Sequence, residues 1–250
     1  KRYELTKIIL EYLVFIKKEL INDFNIDIIV VGSEGKKYET LCKNLSIYYI
    51  EHPNKPLNKK FNAASKFCEK FNPDAVLLTG SDDIITPNTI KNLMNKLDKK
   101  THVVGVTDLH VYDSVNQIIY KWLGYTDKIR INIPIGAGRL FDNYTLKKLD
   151  WLLWDTEIEI NRGLDSNNRN KLKKYEISMK GYSQKSLDGF VVDIKGASKE
   201  NITSLERMIN NNNESNKNDK IIKYPLDNTI ILLKENLNEY FFKKIINNKI

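Results

Sequence analysis

Cysteine is scarce in this sequence, and so is any long apolar run. The 250 residues include two cysteines, Cys42 and Cys68, and neither belongs to a CxxC pair or a Cys/His cluster. This excludes a disulfide framework and a cysteine-based zinc site, so we expect two reduced thiols inside helices. No stretch stays apolar for long enough to span a bilayer, and no signal-peptide pattern is present at the start. These absences predict a cytoplasmic protein.

A dense stripe of arginine is also absent, although the chain is basic. The formal charge is +8, with 40 Lys and Arg residues against 32 Asp and Glu residues. Such a charge attracts phosphates and other polyanions. The excess is mostly lysine spread over predicted helices, and neither zinc-finger spacing nor an RNP-like aromatic pattern accompanies it. We therefore predict no nucleic-acid partner and expect the positive charge to serve a diphosphate.

The first half of the chain alternates helix-like and strand-like segments. Predicted strands at 26–31, 47–50, 75–79 and 103–106 each follow a segment with helical spacing of apolar residues. This alternation is typical of an α/β protein with a mostly parallel central sheet covered by helices. Ligands of such sheets bind at the carboxyl ends of the strands.

The second half differs in composition and pattern. Apolar segments at 111–112 and 117–120 flank a turn and predict a hairpin. An Asn-rich stretch farther on predicts a low-complexity loop, and the segment beyond it predicts a C-terminal helical appendage that packs on the main body. The predicted units are a domain at 1–205, with a nucleotide-binding half at about 1–108 and an acceptor half at about 109–205, the loop at 206–220 and the extension at 221–250.

An acidic pair follows the third predicted strand. Asp82 and Asp83 lie just beyond the apolar run 75–78, and Pro87 then begins a helix. Carboxylates at this edge of an α/β sheet are typical ligands of a divalent cation that holds a phosphate. The alternative is that one of them caps the helix, but Thr86 can do so unaided. We favour the metal site, because a cap uses only one such residue.

Several segments occur in the order and spacing of a known enzyme family. After an opening helix and the strand 26–31 come an Asn-containing segment at 54–64, the acidic segment 80–83 with Pro87, and the segment 163–169. Over roughly the first two thirds of the chain this pattern resembles the family 2 type of GT-A glycosyltransferases. The resemblance implies a GT-A, Rossmann-like fold and transfer of a sugar from a UDP- or GDP-sugar to a glycan or protein acceptor. It also implies inversion at the sugar and Mn²⁺ or Mg²⁺ as cofactor.

The resemblance implies roles for individual residues. Asp82 and Asp83 would bind the metal ion, and Asp165 would be the catalytic base that takes the proton of the acceptor hydroxyl. A second copy of the chain is a further candidate partner. The residues expected to bind the nucleotide and the donor sugar are Gly32, Ser33, Glu34, Lys60, Asn62, Ser81, Asp82, Gly138 and Arg139.

The sequence departs from the family pattern on the donor side. Gly80 replaces the first acidic residue of the metal-binding segment. Glu34 is the nearest carboxylate where the family has acidic residues that contact the nucleoside. Phe61 stands where arginine is usual, which leaves Lys59 or Lys60 to pair with a phosphate. These departures bear on the base preference and on how the diphosphate is held.

Two further parts of the family pattern are missing. No histidine follows Asp165 to complete the metal site, and Asp188 or Asp193 would substitute. The family's first strand has no counterpart, so we expect further residues to precede Lys1. For Gly138, a tight entry into a strand is an alternative to contact with the donor.

Some assignments on the acceptor side have explicit alternatives. Asp165 could cap a helix instead of acting as a base, and Asp155 and Glu157 are rival bases. Trp151 and Trp154 could stack on an acceptor ring, but tryptophans spaced three apart more often pack in a core or at its rim.

Two other functions are compatible with the same predicted sheet. A sugar-phosphate nucleotidyltransferase would need a Gly-rich loop after its first strand, and none is visible. A catalytically degenerate protein that only binds a glycan or a partner would explain Gly80 and the missing nucleoside-contacting acid. Release of nucleoside diphosphate from nucleotide sugars would distinguish the three functions.

Overall fold

A computed structural model of the chain describes residues 3–128, 130–196 and 221–247. Short 3-10 helices occur at Glu69–Phe71 and Lys185–Leu187. The α-helices are α1 (Tyr3–Glu19), α2 (Lys36–Asn44), α3 (Leu57–Cys68), α4 (Pro87–Met94), α5 (Asn143–Lys148), α6 (Leu164–Lys174), α7 (Leu226–Asn236) and α8 (Glu239–Asn247). The strands are β1 (Ile29–Gly32), β2 (Tyr48–Glu51), β3 (Ala75–Leu78), β4 (Asp83–Ile85), β5 (Val103–Val106), β6 (Leu109–Asp113), β7 (Ile118–Trp122), β8 (Arg139–Asp142), β9 (Met179–Tyr182), β10 (Val191–Lys195) and β11 (Ile221–Lys223).

The described strands form three sheets in a mixed α/β architecture. One sheet is the parallel pair β1–β2, the second has the order β3-β8-β5-β9, and the third has the order β11-β7-β6-β10-β4. The predicted alternation of helices and strands in the first half is confirmed, with boundaries displaced by a few residues. The predicted hairpin is confirmed as the antiparallel pair β6–β7.

The prediction of a mostly parallel central sheet is wrong. Among the described strands only the pairs β1–β2, β6–β10 and β5–β9 are parallel, and the other five pairs are antiparallel. Strand β8 is one reason, because it returns from the second half of the chain and lies antiparallel between β3 and β5. Its apolar residues Leu140 and Phe141 are buried, so local pattern alone could not reveal its direction.

Helix α1 positions the largest apolar core. Its buried residues Leu5, Ile9, Tyr12 and Ile16 recur at helical spacing and face the sheet that contains β4, β6 and β10. Burial of each such aliphatic or aromatic side chain contributes about 1.5–3 kcal/mol to folding. The ring of Phe241 in α8 meets Tyr12 edge-on at 4.9 Å between centroids, which joins the C-terminal helices to this core.

A second core lies beneath β5 and β8 and contains both candidate stacking tryptophans. Trp151 is 2% exposed and Trp154 is 4% exposed, among buried residues that include Phe141 and Leu146. Both tryptophans therefore pack in a core, which was the alternative to stacking on an acceptor ring. Cys42 and Cys68 are free, buried and helical, as predicted.

The predicted Asn-rich loop at 206–220 lies outside the described residues, as do the flanking residues 197–205. Within the described ranges, none of the helices combines the length and the apolar character that a membrane crossing requires.

Candidate metal and nucleotide site

Three carboxylates meet where β3, β4 and β10 come together. Asp82 lies in the turn after β3, Asp83 begins β4, and Asp193 lies opposite Asp83 in the antiparallel pair β4–β10. One carboxylate oxygen of each residue lies within 4.8 Å of the others. The backbone N–H of Ile194 donates to the carbonyl oxygen of Asp82 at 2.8 Å, which ties the turn to β10.

The turn before β4 explains why glycine stands at position 80. The Gly80 N–H donates to Oδ2 of Asp83 at 2.6 Å. A Cβ atom at position 80 would lie 2.7 Å from that oxygen and 3.0 Å from Oδ1 of Asp82. A side chain there would displace the carboxylates, so the close approach of this backbone to Asp83 favours glycine.

Lys195 completes the cluster from the same face of β10 as Asp193. The two residues are two positions apart on a strand, which places their side chains on one face. The Lys195 ammonium lies 2.6 Å from Oδ2 of Asp193 and 3.2 Å from Oδ2 of Asp82. Burial opposes its charge, but the attraction of Asp193 and Asp82 is larger in sum and raises the pKa of Lys195.

Asp193 has a strongly perturbed carboxyl group. Burial and the neighbouring charges of Asp82 and Asp83 raise its pKa well above the ordinary value, and Lys195 opposes the shift. Its Oδ1 is buried and has no hydrogen-bond partner among the described residues. Oxygen ligands from three carboxylates are those that Mg²⁺ and Mn²⁺ prefer, so the residues present fit a divalent cation.

A second polar group lies at the carboxyl end of β1. The Lys60 ammonium bonds to Oγ of Ser33 and to Oδ1 of Asn54, each at 3.1 Å. Partial burial lowers the pKa of Lys60, against the charges of Glu34 and Glu51. For Glu34, hydrogen bonds from Ser33 and the charge of Lys60 outweigh burial and lower its pKa. Gly32, Ser33, Glu34 and Lys60 are thus brought together at one strand end.

Asp165, the predicted base, is held by a buried arginine. Oδ1 of Asp165 lies 3.2 Å from Nη2 of Arg139, and Oδ2 accepts a hydrogen bond from the Tyr125 hydroxyl at 3.2 Å. The Asp165 side chain is 33% exposed, whereas that of Arg139 is 1% exposed. Arg139 also donates to Oδ1 of Asn168 at 2.8 Å and to the carbonyl oxygen of Pro134 at 2.5 Å. In this arrangement the buried guanidinium of Arg139 supports Asp165.

The side chain of Asn62 forms hydrogen bonds with the backbone of the acceptor half. Its Nδ2 donates to the carbonyl oxygen of Trp154 at 3.0 Å, and its Oδ1 accepts from the Trp154 N–H at 2.9 Å. One turn earlier on α3, Asn58 makes similar bonds to the carbonyl oxygens of Asp155 and Ile158. These buried amides position the loop 154–160, in which Glu157 is exposed. Asn58 and Asn62 are four residues apart, so they lie on the same face of α3, and this spacing is the sequence signal that they bind the same loop.

The remaining predicted residues lie around the turn and the entry to β8. Ser81 is exposed in the turn before β4. Gly138 has φ of 74° and its N–H donates to the carbonyl oxygen of Leu78 at 2.9 Å, which is the geometry of a strand entry. Asp188 is exposed and is not part of the acidic cluster, whereas Asp193 is. Lys195 was not predicted, although its spacing from Asp193 was a readable signal.

Comparison with known proteins does not place the chain in a family. No protein-family model matches the sequence, and none of the curated proteins matches it. Among solved structures, the chain is similar to a cytidylyltransferase from Leptospira borgpetersenii serovar Hardjo-bovis, with 14% identity and a TM-score of 0.44. The alignment covers 98% of this chain and 87% of that one. A likeness of this size does not identify a shared activity.

Proposed function

We propose that the protein is an enzyme that transfers a nucleotidyl group from a nucleoside triphosphate to a phosphorylated acceptor such as a sugar phosphate. The observation that carries the proposal is the cluster of Asp82, Asp83 and Asp193 around the turn between β3 and β4. A divalent cation bound there would neutralise the charge that builds up on the reacting phosphate.

The residues of the chain have separate tasks in this reaction. Asp82, Asp83 and Asp193 would hold the cation. Lys60 lies at the carboxyl end of β1, where its ammonium would pair with a phosphate of the nucleotide. An oxygen of the acceptor phosphate forms a bond to the α-phosphorus, the bond between that phosphorus and the bridging oxygen to the β-phosphate breaks, and pyrophosphate leaves with the electron pair.

The surroundings of Asp165 favour nucleotidyl transfer over glycosyl transfer. The acceptor phosphate in nucleotidyl transfer is already ionised, so no base has to remove a proton. A sugar transfer to a hydroxyl group does need a base, and both carboxylate oxygens of Asp165 are engaged by Arg139 and Tyr125. The oxygens that would accept the proton are therefore already in contact with other side chains.

Glycosyl transfer is the second candidate function, and the placement of Asp165 supports it. Oδ1 of Asp165 would lie 2.9 Å from a Cβ atom at Gly136, so the carboxylate sits directly against the glycine loop before β8. In this reaction Asp165 would take the acceptor's hydroxyl proton, and a UDP- or GDP-sugar would release nucleoside diphosphate. The acceptor would be a glycan or a protein, and the cation would be the same Mn²⁺ or Mg²⁺.

The leaving group decides between the two reactions. Purified protein with Mg²⁺ or Mn²⁺ is incubated with each nucleoside triphosphate and a panel of sugar phosphates, and separately with UDP- and GDP-sugars and hydroxyl acceptors. We expect release of pyrophosphate in the first set. Asp193→Asn should reduce turnover by about 100-fold or more, because the cation loses one of its ligands. Asp188→Asn is the matched control, since Asp188 is an exposed carboxylate outside the cluster.

The alternatives give different products in the same experiment. Release of nucleoside diphosphate without pyrophosphate would refute the nucleotidyl proposal and support glycosyl transfer. Binding of nucleotide without either product would support the degenerate, binding-only function.

A further inference from the structure

The Lys195 ammonium occupies the acidic cluster in the way that a bound cation would. It lies within 3.2 Å of carboxylate oxygens of both Asp82 and Asp193. Its side chain is 10% exposed and those of its two partners are 15% exposed, so water screens these charges only weakly. The cluster therefore already contains one positive charge.

A divalent cation and this ammonium compete for the same oxygens. A metal ion bound by Asp82 and Asp193 would lie within a few ångströms of the ammonium, where repulsion between like charges in a poorly screened site is strong. Oδ1 of Asp193 is buried and unpartnered, so one ligand atom remains for a metal ion even while Lys195 holds Oδ2. A metal ion can therefore approach through this oxygen, and its repulsion would then move the ammonium away from Asp82 and Asp193.

The displaced ammonium needs a new anionic partner. Its cross-strand neighbour on β6 is Asp113. The carboxylate of Asp113 is already engaged by the backbone N–H groups of Val115 and Asn116 and by the Asn116 side chain, at 2.6–3.1 Å. A phosphate group arriving at the cluster supplies the charge that Asp113 cannot readily provide.

We propose that Lys195 is a positioning residue that acts as a resident cation: it holds Asp82 and Asp193 until a divalent cation displaces it, and it then binds the phosphate of the nucleotide. The phosphate part of this inference rests on the proposed function, whereas the displacement part does not. The consequence is that metal and nucleotide bind cooperatively. The phosphate relieves the repulsion between the metal ion and the ammonium, and the metal ion relieves the repulsion between the phosphate and the carboxylates.

Binding of Mn²⁺ without nucleotide tests the displacement directly. The affinity is measured by electron paramagnetic resonance of free Mn²⁺ for wild type, Lys195→Gln and Lys121→Gln. The Lys195→Gln side chain keeps a hydrogen-bond donor for Asp193 but lacks the charge. Lys121 is the matched control, because it is a largely buried lysine paired with Asp108 at 3.3 Å on a strand of the same sheet. We expect Mn²⁺ to bind Lys195→Gln at least about 10-fold more tightly than wild type, and Lys121→Gln to bind it as wild type does.

Labelling of the wild-type protein covers the case in which the Lys195→Gln variant does not fold. An amine-acylating reagent is applied with and without saturating Mn²⁺, and modification of Lys195 is quantified by peptide mass spectrometry. We expect Mn²⁺ to increase labelling at Lys195 and to leave Lys121 unchanged. Equal labelling with and without Mn²⁺, or equal Mn²⁺ affinity of wild type and Lys195→Gln, would overturn the inference.

A nucleotide arm separates this inference from the proposed function. Nucleoside triphosphate should tighten binding of Mn²⁺ to wild type more than to Lys195→Gln, after correction for Mn²⁺ held by the nucleotide itself. If no nucleotide binds to either protein, the proposed function and the phosphate role of Lys195 are wrong, whereas displacement is still decided by the nucleotide-free comparison.

Discussion

The substitution Asp165→Asn separates a supporting role of this carboxylate from a catalytic one. It preserves the shape of the side chain but removes the negative charge opposite Arg139, whose side chain is 1% exposed. The guanidinium would keep its bonds to Asn168 and to Pro134, yet its Nε already lacks a partner within the described part of the chain. The variant therefore leaves a buried charge without its counter-charge.

The size of the effect follows from the burial of the pair. Removing one partner of a fully buried ion pair costs about 3–5 kcal/mol. Asp165 is 33% exposed and thus partly screened by water, so we expect a smaller loss in the free energy of unfolding, about 2 kcal/mol. For a chain of 250 residues this corresponds to a decrease in melting temperature of about 4–8 °C.

Urea unfolding and thermal melting measure this loss. Asp188→Asn is the control, because Asp188 is exposed and has φ of 43°, a conformation that asparagine tolerates. The double variant Arg139→Met with Asp165→Leu should be less destabilised than the sum of its single variants, since it removes both charges together. A loss below about 0.5 kcal/mol for Asp165→Asn would refute the argument from the buried ion pair.

The same variant discriminates between the candidate reactions. If the enzyme transfers a nucleotidyl group, turnover per folded molecule should change by less than about 10-fold, because no proton is taken by Asp165. If it transfers a sugar, turnover should fall by about 100-fold or more. Activity is therefore measured at a temperature where both proteins are folded.

Two further changes test the metal cluster and a buried histidine. Gly80→Ala should weaken binding of Mn²⁺ by about 10-fold, because the new Cβ would lie 2.7 Å from Oδ2 of Asp83; calorimetry that gives wild-type affinity would contradict this. Burial, assisted by the charge of Lys121, lowers the pKa of His110 from 6.5 to about 4. The unfolded chain therefore binds the proton first, and stability should fall as pH decreases from about 6.5 to about 4, by about 2–3 kcal/mol in total. Urea titrations of wild type and His110→Phe should differ in that range, and parallel pH profiles would exclude His110 as the cause.

Part of the candidate site could be predicted because it is local in sequence. Asp82 and Asp83 follow an apolar strand directly, so their place at a strand end is a consequence of chain order. Asp193 was one of two proposed substitutes for the missing histidine, and Asp188 was the other. Pairing of β10 with β4 brings Asp193 to the cluster, whereas Asp188 stays exposed.

Roles that depend on burial could not be predicted from the pattern. Arg139 follows a glycine segment, as a phosphate-binding arginine would, but the return of β8 into the sheet buries it beneath Asp165. Asn62 lies in a segment that suggested a nucleotide contact. Its side-chain amide is instead buried and bonds to the backbone N–H and carbonyl oxygen of Trp154. Both side chains bond to distant backbone or side-chain groups, which only the folded chain defines.

The sequence by itself determined the local elements of this protein, because helical and strand spacing of apolar residues is a property of neighbours along the chain. It determined the α/β character, the helical position of both cysteines and the acidic pair at the end of β3. Only the tertiary structure decided the strand directions, the antiparallel placement of β8 and the meeting of Asp193 and Lys195 with Asp82. Those features depend on which distant segments pack together, and a period-two pattern reads the same in either strand direction.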